Sequence, residues 1–318
     1  MRVHCIFAIG VFLTSSCNAY DGIESGADLR QRFLREAPEC WSKMREVIDH
    51  LEGIAVETNT SPGMPAETRR RRFSFFFEGK LRKIEVERIP DTGARTAYVI
   101  SSEASFEANR NGSSEHYYLG GYGMGDGGYG TPEFKLARYL RLVYAGETIN
   151  LRTLSEMLRD NSSSLTDISE VTVGNRQLVR VAFEIKHPGG QTSHPWALLE
   201  PLRQWRVMES GEDIGTGTCK NTVEYQTHPS GVPFPKRVVT AVIKNGAVVN
   251  QTEYVFDEPR ACNAAASEFT LAAYGLPPVP GTGSLTIASR RLLLWLVPTL
   301  LFVVVVFVLK RLRRAGTH

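Results

Sequence analysis

The sequence lacks the motifs that mark the common classes of enzyme. It contains neither the His-Glu-x-x-His of zinc peptidases nor the Gly-x-Ser-x-Gly of serine hydrolases, and it has no Gly-Lys-Ser/Thr phosphate loop. His187 and His194 are close in the sequence, but no third metal ligand lies near them. We therefore expect no catalytic residue, no metal site and no cofactor, and a protein that is not an enzyme.

Cysteine is scarce, with five in 318 residues. Cys5 lies in an N-terminal apolar segment, and Cys17 follows shortly after it. The body of the chain then holds Cys40, Cys219 and Cys262, an odd number that cannot all pair with one another. Cys219 and Cys262 both fall in the strand-rich C-terminal half. They form a disulfide if the compartment is oxidising, and otherwise they remain free thiols.

The body of the chain also lacks an excess of positive charge. The whole sequence has 37 basic and 34 acidic residues, but seven of the basic ones lie at its two ends. The stretch from Tyr20 to Ser289 therefore has 30 basic and 34 acidic groups. This mildly acidic balance argues against a general nucleic-acid binder, so we expect no nucleic-acid partner.

The first nineteen residues have the pattern of a signal peptide. Arg2 precedes an apolar segment, residues 5–13, which makes about 14 Å of helix and is too short to cross a bilayer. A run of small residues follows and favours cleavage between Ala19 and Tyr20. Two alternatives remain open: a lipoprotein signal acylated at Cys17, and an uncleaved anchor.

One long uncharged apolar run begins at Leu292 and ends at Leu309. It makes about 27 Å of helix, close to the roughly 30 Å hydrocarbon thickness of a bilayer. Arg290 and Arg291 precede it and four basic residues follow it, an asymmetry that places the tail in the cytoplasm. The run predicts a single transmembrane helix. The alternative is a buried core helix, but such a helix keeps a polar stripe.

These two ends divide the chain into segments. We expect a signal peptide over residues 1–19, a domain outside the cytoplasm over 20–275, a linker rich in proline and glycine over 276–289, a transmembrane helix over 290–311 and a cytoplasmic tail over 312–318. The protein is then a single-pass protein of the cell membrane, with its N-terminal domain in the periplasm or at the cell surface.

Hydrophobic periodicity predicts an α+β domain. Apolar residues recur every three or four positions over residues 28–51, which indicates a helix that Pro38 divides and Gly53 ends. Further helices are expected over 132–143 and 153–159. Alternation with a period of two predicts strands over residues 68–77, 80–89, 97–101, 105–108, 116–119, 166–173, 177–186, 202–209, 218–227, 236–244 and 247–256, and a last one over 269–273.

Turn signals join these strands into hairpins. Asn245-Gly246 suits a type I′ turn, and Gly174-Asn175 and Glu78-Gly79 mark two further turns. The fold class that follows is α+β, with a large antiparallel sheet, an N-terminal helix, a helical insert and the C-terminal transmembrane helix.

Two further segments have unusual composition. Glycine is concentrated in residues 120–130, where a G-x-G-x-x-G pattern occurs without the buried parallel strand that a dinucleotide site needs. We interpret this segment as a flexible loop or lid, or as a loop that meets a protein partner. Four arginines occupy positions 69–72. They are the solvated end of an edge strand, or they contact anionic lipid or a partner.

The C-terminal half carries a pattern that resembles a known family. A tyrosine-rich strand leads into a turn of glycine, proline and basic residues at 231–237, two strands joined by Asn-Gly follow, and the segments 268–271 and 274–277 close the pattern. With the signal peptide and the leading helix, this arrangement resembles bacterial outer-membrane lipoprotein-sorting carriers, loosely over residues 28–276. That family folds as a half-open β-barrel whose helices cover an apolar concavity for acyl chains. The resemblance therefore implies a half-barrel here, with a C-terminal anchor added.

This resemblance suggests a ligand site and a function. Inward residues of one strand, Val179, Val181 and Phe183, then line the ligand cavity, or they belong to an ordinary core. We expect a membrane-anchored binding domain outside the cytoplasm, for lipid or another hydrophobic ligand. The alternative is a surface structural or protein-interaction domain without a small ligand. An anchored domain cannot shuttle between membranes, so the transport role of the family is not expected.

Overall fold

The computed structural model describes residues 26–61, 70–101, 104–123, 131–149, 152–187, 190–213, 215 and 217–279. The predicted cleavage site at Ala19 and Tyr20 and the predicted span from Leu292 to Leu309 lie outside these residues. Among the helices of the described ranges, none combines the length and the apolar character that crossing a membrane requires.

The described residues form three α-helices and seventeen strands. The helices are α1 (Gly26–Ile48), α2 (Pro132–Val143) and α3 (Leu154–Met157). The strands before residue 160 are β1 (Leu51–Thr60), β2 (Arg70–Glu78), β3 (Leu81–Ile89), β4 (Arg95–Ile100), β5 (Ser105–Arg110), β6 (Tyr118–Gly123), β7 (Thr148–Ile149) and β8 (Arg152–Thr153). Those after it are β9 (Ser163–Val173), β10 (Arg176–Lys186), β11 (Thr192–Ser193), β12 (Trp196–Glu200), β13 (Arg206–Asp213), β14 (Thr218–Thr227), β15 (Pro233–Lys244), β16 (Ala247–Phe256) and β17 (Arg260–Ala261).

Fifteen of these strands belong to one antiparallel sheet. Its order is β11-β10-β12-β13-β14-β15-β16-β1-β2-β3-β4-β5-β6, with β9 beside β10 and β17 beside β1, while β7 and β8 make a separate pair. Because β1 lies between β16 and β2, the first strand joins the N-terminal meander to the C-terminal one. The prediction of a large antiparallel sheet with an N-terminal helix and a helical insert is confirmed.

The first helix, α1, is continuous, so the predicted division at Pro38 is wrong. An interior proline costs a helix roughly 3 kcal/mol, because it removes a hydrogen bond and crowds the preceding turn. The apolar stripe of α1 outweighs this cost, since each large side chain gains about 1.5–3 kcal/mol on burial. That stripe is fully buried and consists of Leu29, Phe33, Ala37, Trp41, Met44 and Ile48.

The helix ends at Ile48, and the predicted stop at Gly53 is wrong. Gly53 instead lies in β1, opposite Phe75 of β2. A Cβ on Gly53 would stand 2.7 Å from a carbon of the Phe75 ring, which is closer than such contacts allow. The glycine therefore permits the two strands to pack a large ring against the backbone, and it has no capping role.

The two faces of the sheet carry separate cores. We call the face that contains Phe73, Phe75 and Phe77 the inner face; it packs against α1 and α2 in one continuous apolar cluster. The opposite, outer face has a smaller core formed by β4 and β5 together with Phe269 and Tyr274. The members of that core from β4 and β5 are Ala97, Val99, Phe106 and Ala108.

The prediction of a last strand over residues 269–273 is wrong. Two short 3-10 helices, Ala266–Phe269 and Leu271–Tyr274, occupy this part of the chain. Phe269 and Tyr274 both reach the outer core, and the Tyr274 ring lies 5.9 Å from that of Phe106. Positions five residues apart point to opposite sides of a strand, so only a coiled segment delivers both side chains to one core.

The predicted hairpin turns are confirmed. Asn245 and Gly246 have φ values of 51° and 76°, as a type I′ turn between β15 and β16 requires. Gly79 and Gly174 also have positive φ, at the turns that follow β2 and β9. In the glycine-rich segment 120–130, residues 120–123 belong to β6 and 124–130 lie outside the described residues.

The structure does not bring Cys219 and Cys262 together, and both are free thiols, as is Cys40. Cys262 follows Ala261, which pairs with the first residue of β1. Cys219 of β14 lies opposite Val242 of β15, which lies opposite Asn250 of β16. The next residue of β16 lies opposite Thr60, the last residue of β1. The two thiols thus lie at opposite ends of β1, roughly 30 Å apart, whereas a disulfide needs Cα atoms within about 7 Å.

Candidate functional site

Helix α2 covers the inner face of β4, β5 and β6. Thr131 caps it, because its side-chain oxygen accepts a hydrogen bond from the Phe134 N–H at 3.3 Å, and Pro132 occupies the first turn. The cap fixes where the helix begins, and the spacing of the apolar residues decides which side faces the sheet. The buried side chains on that side are Leu136, Tyr139, Leu142 and Val143.

Two carboxylates of the inner face hold α2 in place. Lys135 makes an ion pair with Glu107 of β5, and Arg138 makes one with Glu57 of β1 at 3.1 Å. Burial lowers the pKa of Arg138, but Tyr254 and Glu57 outweigh it and raise the pKa. Arg138 is therefore charged at neutral pH, and α2 is fastened by charges along its polar side.

An aromatic cluster fills the space between α2 and the sheet. The Tyr139 ring lies 5.3 Å from Phe73 and 6.0 Å from Tyr98, and Phe73 lies 5.8 Å from Phe256. Burial raises the pKa of Tyr139, with a further contribution from Glu57, so this phenol stays neutral. The interior under α2 thus combines aromatic rings with the buried carboxylates Glu57 and Glu107.

The three residues predicted to line a cavity lie on β10. Val179, Val181 and Phe183 are 2%, 0% and 1% exposed, and all three belong to the inner-face cluster. The structure brings them together with α1 and with the apolar side chains of β12 to β15. The three cavities described below, which are bounded by described residues, do not include them.

An open cleft of about 240 Å³ lies beside α2, where β2 and β4 begin and β3 and β5 end. We call it the arginine cleft, because four of its lining residues are arginines and a single one is acidic. Its lining residues are Arg71, Val86, Glu87, Arg88, Ala94, Arg95, Thr96, Tyr98, Asn109, Arg110, Asn111, Tyr118 and Tyr139.

Arg71 and Arg88 face each other directly across β2 and β3. Strand alternation places Arg71 on the inner face with Phe73, and Arg88 on the same face as Val86, the partner of Phe73. Within the described part of the chain, neither Arg71 nor Arg88 makes an ion pair.

The arginines on the outer face of the same strands have a partner. Arg72 makes an ion pair with Glu87 at 3.0 Å, and Arg95 reaches the same carboxylate at 3.4 Å. The outer-face charges are therefore partly balanced, while the inner-face pair Arg71 and Arg88 remains a concentration of positive charge.

Two other cavities are bounded by described residues. One, of about 250 Å³, lies on the outer face between the start of β1 and the segment after β16, and the other, of about 20 Å³, lies beside Arg141. In the ranges that the structure covers, no group of three or more His, Cys, Asp or Glu side chains is arranged to hold a metal ion.

Sequence reasoning missed the inward orientation of Arg71. The composition of the run at 69–72 predicts a solvated strand end or a contact for anionic lipid or a partner. Every second residue of β2 from Phe73 to Phe77 points inward. The same alternation, continued to two residues before Phe73, places Arg71 on the inner face as well. Its pairing with Arg88 depends on the hairpin register, which the Glu78-Gly79 turn sets.

No protein-family model and no curated protein sequence matches the chain. Solved structures similar to it include a LolA superfamily protein from Nitrosomonas europaea, with 9% identity and a TM-score of 0.44 over 74% of this chain and 97% of that one. A putative outer membrane lipoprotein-sorting protein domain from Vibrio parahaemolyticus has 8% identity and a TM-score of 0.47 over 75% and 97%. These structures belong to the group that the sequence resembles. At such identities and scores, the likeness assigns no function to the chain.

Proposed function

We propose that the chain is a membrane-anchored binding domain outside the cytoplasm, and not an enzyme, that takes a hydrophobic ligand between α2 and the inner face of a sheet curled into a half-barrel. The anchor and the compartment rest on the sequence patterns at residues 1–19 and 290–311. The observation that supports ligand binding is the continuous apolar and aromatic cluster on the inner face, which runs from Phe73 on β2 to Val181 and Phe183 on β10.

The helix α2 is the element that moves aside in this proposal. Its backbone hydrogen bonds are internal to the helix, so its displacement leaves the strand pairing of the sheet intact. Two ion pairs, Lys135 with Glu107 and Arg138 with Glu57, fasten it to the sheet. A ligand then covers the aromatic side chains that α2 covers in the closed structure.

A fluorescent fatty acid tests this function. We expect the full chain to bind an anthroyloxy-labelled fatty acid above the background of protein-free detergent micelles. Replacing Lys135 and Arg138 with Gln loosens α2 and should tighten binding by about 100-fold, because two charge-assisted hydrogen bonds of about 1.5 kcal/mol each no longer oppose opening. The matched control is Lys43→Gln, which removes an exposed ion pair with Glu39 on α1 and should change nothing.

Absence of binding in the wild-type chain and in the loosened variant would contradict the proposal. An equal gain in the Lys43→Gln control would also contradict it, because the effect would then reflect net charge and not the release of α2.

A protein-interaction domain is the second candidate, and β6 favours it. This strand is the last in the sheet order, and its Tyr118 and Leu119 are 50% and 40% exposed. An edge strand with exposed apolar residues is a template for the strand of a partner.

A pull-down of the partner tests this role of β6. The double variant Tyr118→Lys, Leu119→Lys should abolish recovery of the partner. The control Val248→Lys, at an exposed site on β16, should not. Unchanged recovery with the β6 variant would count against the role.

A further inference from the structure

We propose that the arginine cleft binds a small ligand that carries a tetrahedral oxyanion, either a phosphate or a sulfate ester, attached to a ring. This inference goes beyond the hydrophobic ligand proposed above. It depends on the charge and shape of the cleft as it stands in the closed structure, and not on any movement of α2.

The first observation is the electrostatic cost of the cleft. Arg71 and Arg88 are a directly opposed pair of like charges, an arrangement that destabilises an antiparallel sheet. On the other side of Arg71 lies Glu57 of β1, but this carboxylate makes its ion pair with Arg138 of α2 at 3.1 Å. Glu87 is engaged on the outer face by Arg72 and Arg95. A bound anion supplies the missing negative charge.

A second inner-face carboxylate, Glu107 of β5, is also occupied. Glu107 makes an ion pair with Lys135 of α2, and its other oxygen accepts a hydrogen bond from Asn109 Nδ2 at 2.9 Å. Glu107 therefore does not neutralise Arg71 or Arg88. It also has no unpaired charge that would repel a bound anion. The local balance of the inner-face lining remains positive.

The second observation is the geometry of the two arginines. Directly opposed residues on neighbouring antiparallel strands have Cβ atoms about 4.5–5.5 Å apart. Two guanidinium groups at this spacing can approach one anion from adjacent sides, and each offers a planar fork of N–H donors. A phosphate or sulfate ester presents several oxygens in three dimensions, so it accepts from both forks at once, whereas a planar carboxylate has two oxygens to share between them.

The third observation is the wall of the cleft. Tyr98 and Tyr139 stand side by side with ring planes 28° apart and centroids separated by 6.0 Å. Thr96 Oγ1 donates to Asn109 Oδ1 at 2.7 Å and fixes the polar floor beside them. Half-exposed Tyr118 lines the cleft as well. Aromatic walls next to an oxyanion site suit a ring, such as a sugar or an aryl group.

The volume of the cleft limits the size of the ligand. At about 240 Å³ it is smaller than the roughly 300–1,000 Å³ of pockets for drug-sized ligands. It suits a single ring with one phosphate or sulfate. A phosphate of this kind belongs to a soluble ester or to the headgroup of a lipid, and the same two arginines would hold either.

Isothermal titration calorimetry on the full chain tests the site with three probes. Inorganic phosphate reports the oxyanion alone, phenyl phosphate adds a ring, and glycerophosphoinositol represents a deacylated lipid headgroup that carries a ring. We expect binding of phenyl phosphate that is tighter than that of inorganic phosphate. Additional binding of glycerophosphoinositol would identify a headgroup as a source of the same chemistry, and its absence would identify a soluble ester.

Variants on the two faces of β2 provide the matched comparison. Arg71→Gln and Arg88→Gln should each weaken phenyl phosphate binding by about 10-fold or more, because a charge-assisted hydrogen bond is lost. Arg72→Gln, one residue away on the outer face, should leave the affinity unchanged. Thermal unfolding of each variant provides the check that it remains folded.

The proposal is overturned if none of the three probes binds. It is also overturned if the affinity survives in the Arg71→Gln, Arg88→Gln double variant, or if Arg72→Gln weakens binding as much as Arg71→Gln does. Equal affinities for inorganic phosphate and phenyl phosphate would overturn the part of the proposal that concerns the ring.

Discussion

At the scale of single residues, strand alternation separates neighbouring arginines with the same chemistry. Arg72 points to the outer face and pairs with Glu87, whereas Arg71 points to the inner face and meets Arg88. The position of each side chain relative to Phe73 decides which environment it enters. Two arginines in one run therefore differ in role, one in an ion pair of the sheet and the other in the proposed anion site.

Glu147 is a buried carboxylate whose titration should affect stability. It is 2% exposed and accepts hydrogen bonds from Arg45 Nε at 2.9 Å and from Arg45 Nη2 at 2.8 Å. Burial raises the pKa of Glu147 above its ordinary value of 4.5, although Arg45 opposes this shift. Because the folded pKa exceeds the unfolded one, protonation favours the folded state.

We expect the free energy of unfolding of the wild type, relative to Glu147→Gln, to rise as the pH falls through the folded pKa towards 4.5. Urea unfolding at pH 7 and at pH 4.5 measures this difference. Glu39 gives the opposite case, because a hydrogen bond from Lys43 lowers the pKa of Glu39. The wild type relative to Glu39→Gln should therefore lose stability as the pH falls, and a slope of the same sign in both pairs would contradict the assignment.

At the scale of elements, Pro38 shows how tertiary packing overrides a local signal. The proline lies inside α1, where it removes one backbone hydrogen bond, and the buried stripe keeps the helix whole. Pro38→Ala restores the missing donor and should raise the stability by roughly 1–3 kcal/mol, less than the full proline penalty because the helix is already adapted to the ring.

Thermal unfolding of Pro38→Ala measures this gain as a higher Tm. The matched control is Pro132→Ala in α2, where proline stands in the first turn and costs nothing. A Tm for Pro38→Ala at or below that of the wild type would show that α1 needs the proline in its packed form.

Several elements were predictable because their signals are local. The helix predicted over residues 132–143 matches α2, whose start has the local signals Thr131 and Pro132, and Asn245-Gly246 predicted the hairpin of β15 and β16. Strand β13 begins four residues later than expected, because Gln204 and Trp205 adopt positive φ and make a turn that no glycine announces. The apolar stripe of α1 was visible in the sequence. The free energy gained by its burial, which outweighs the cost of Pro38, depends on packing against distant strands.

The candidate site was less predictable than the fold. Val179, Val181 and Phe183 are buried in the common core, and the three cavities described above do not include them. The arginine cleft depends on cross-strand register and on the docking of α2, which bring Arg71, Arg88 and Tyr139 together from three elements. A single sequence shows the alternation of side chains within each strand, but it does not show which strands and helices are in contact.

At the scale of the whole molecule, β1 links the two halves of the sheet. It pairs with β16 on one side and β2 on the other, so one inner face extends from β10 to β6 and carries both the apolar cluster and the arginine cleft. The outer face is closed over β4 and β5 by the C-terminal 3-10 helices. We therefore assign ligand binding to the inner face alone.

Hydrogen exchange with mass spectrometry, on the full chain with and without oleate, tests this assignment most directly. We expect oleate to change exchange in α2 and in the strands it covers, β4 and β5, while the outer-face segment 266–274 stays the same. An exchange pattern that oleate leaves unchanged throughout, or a change confined to residues 266–274, would contradict the claim that the inner face binds the ligand.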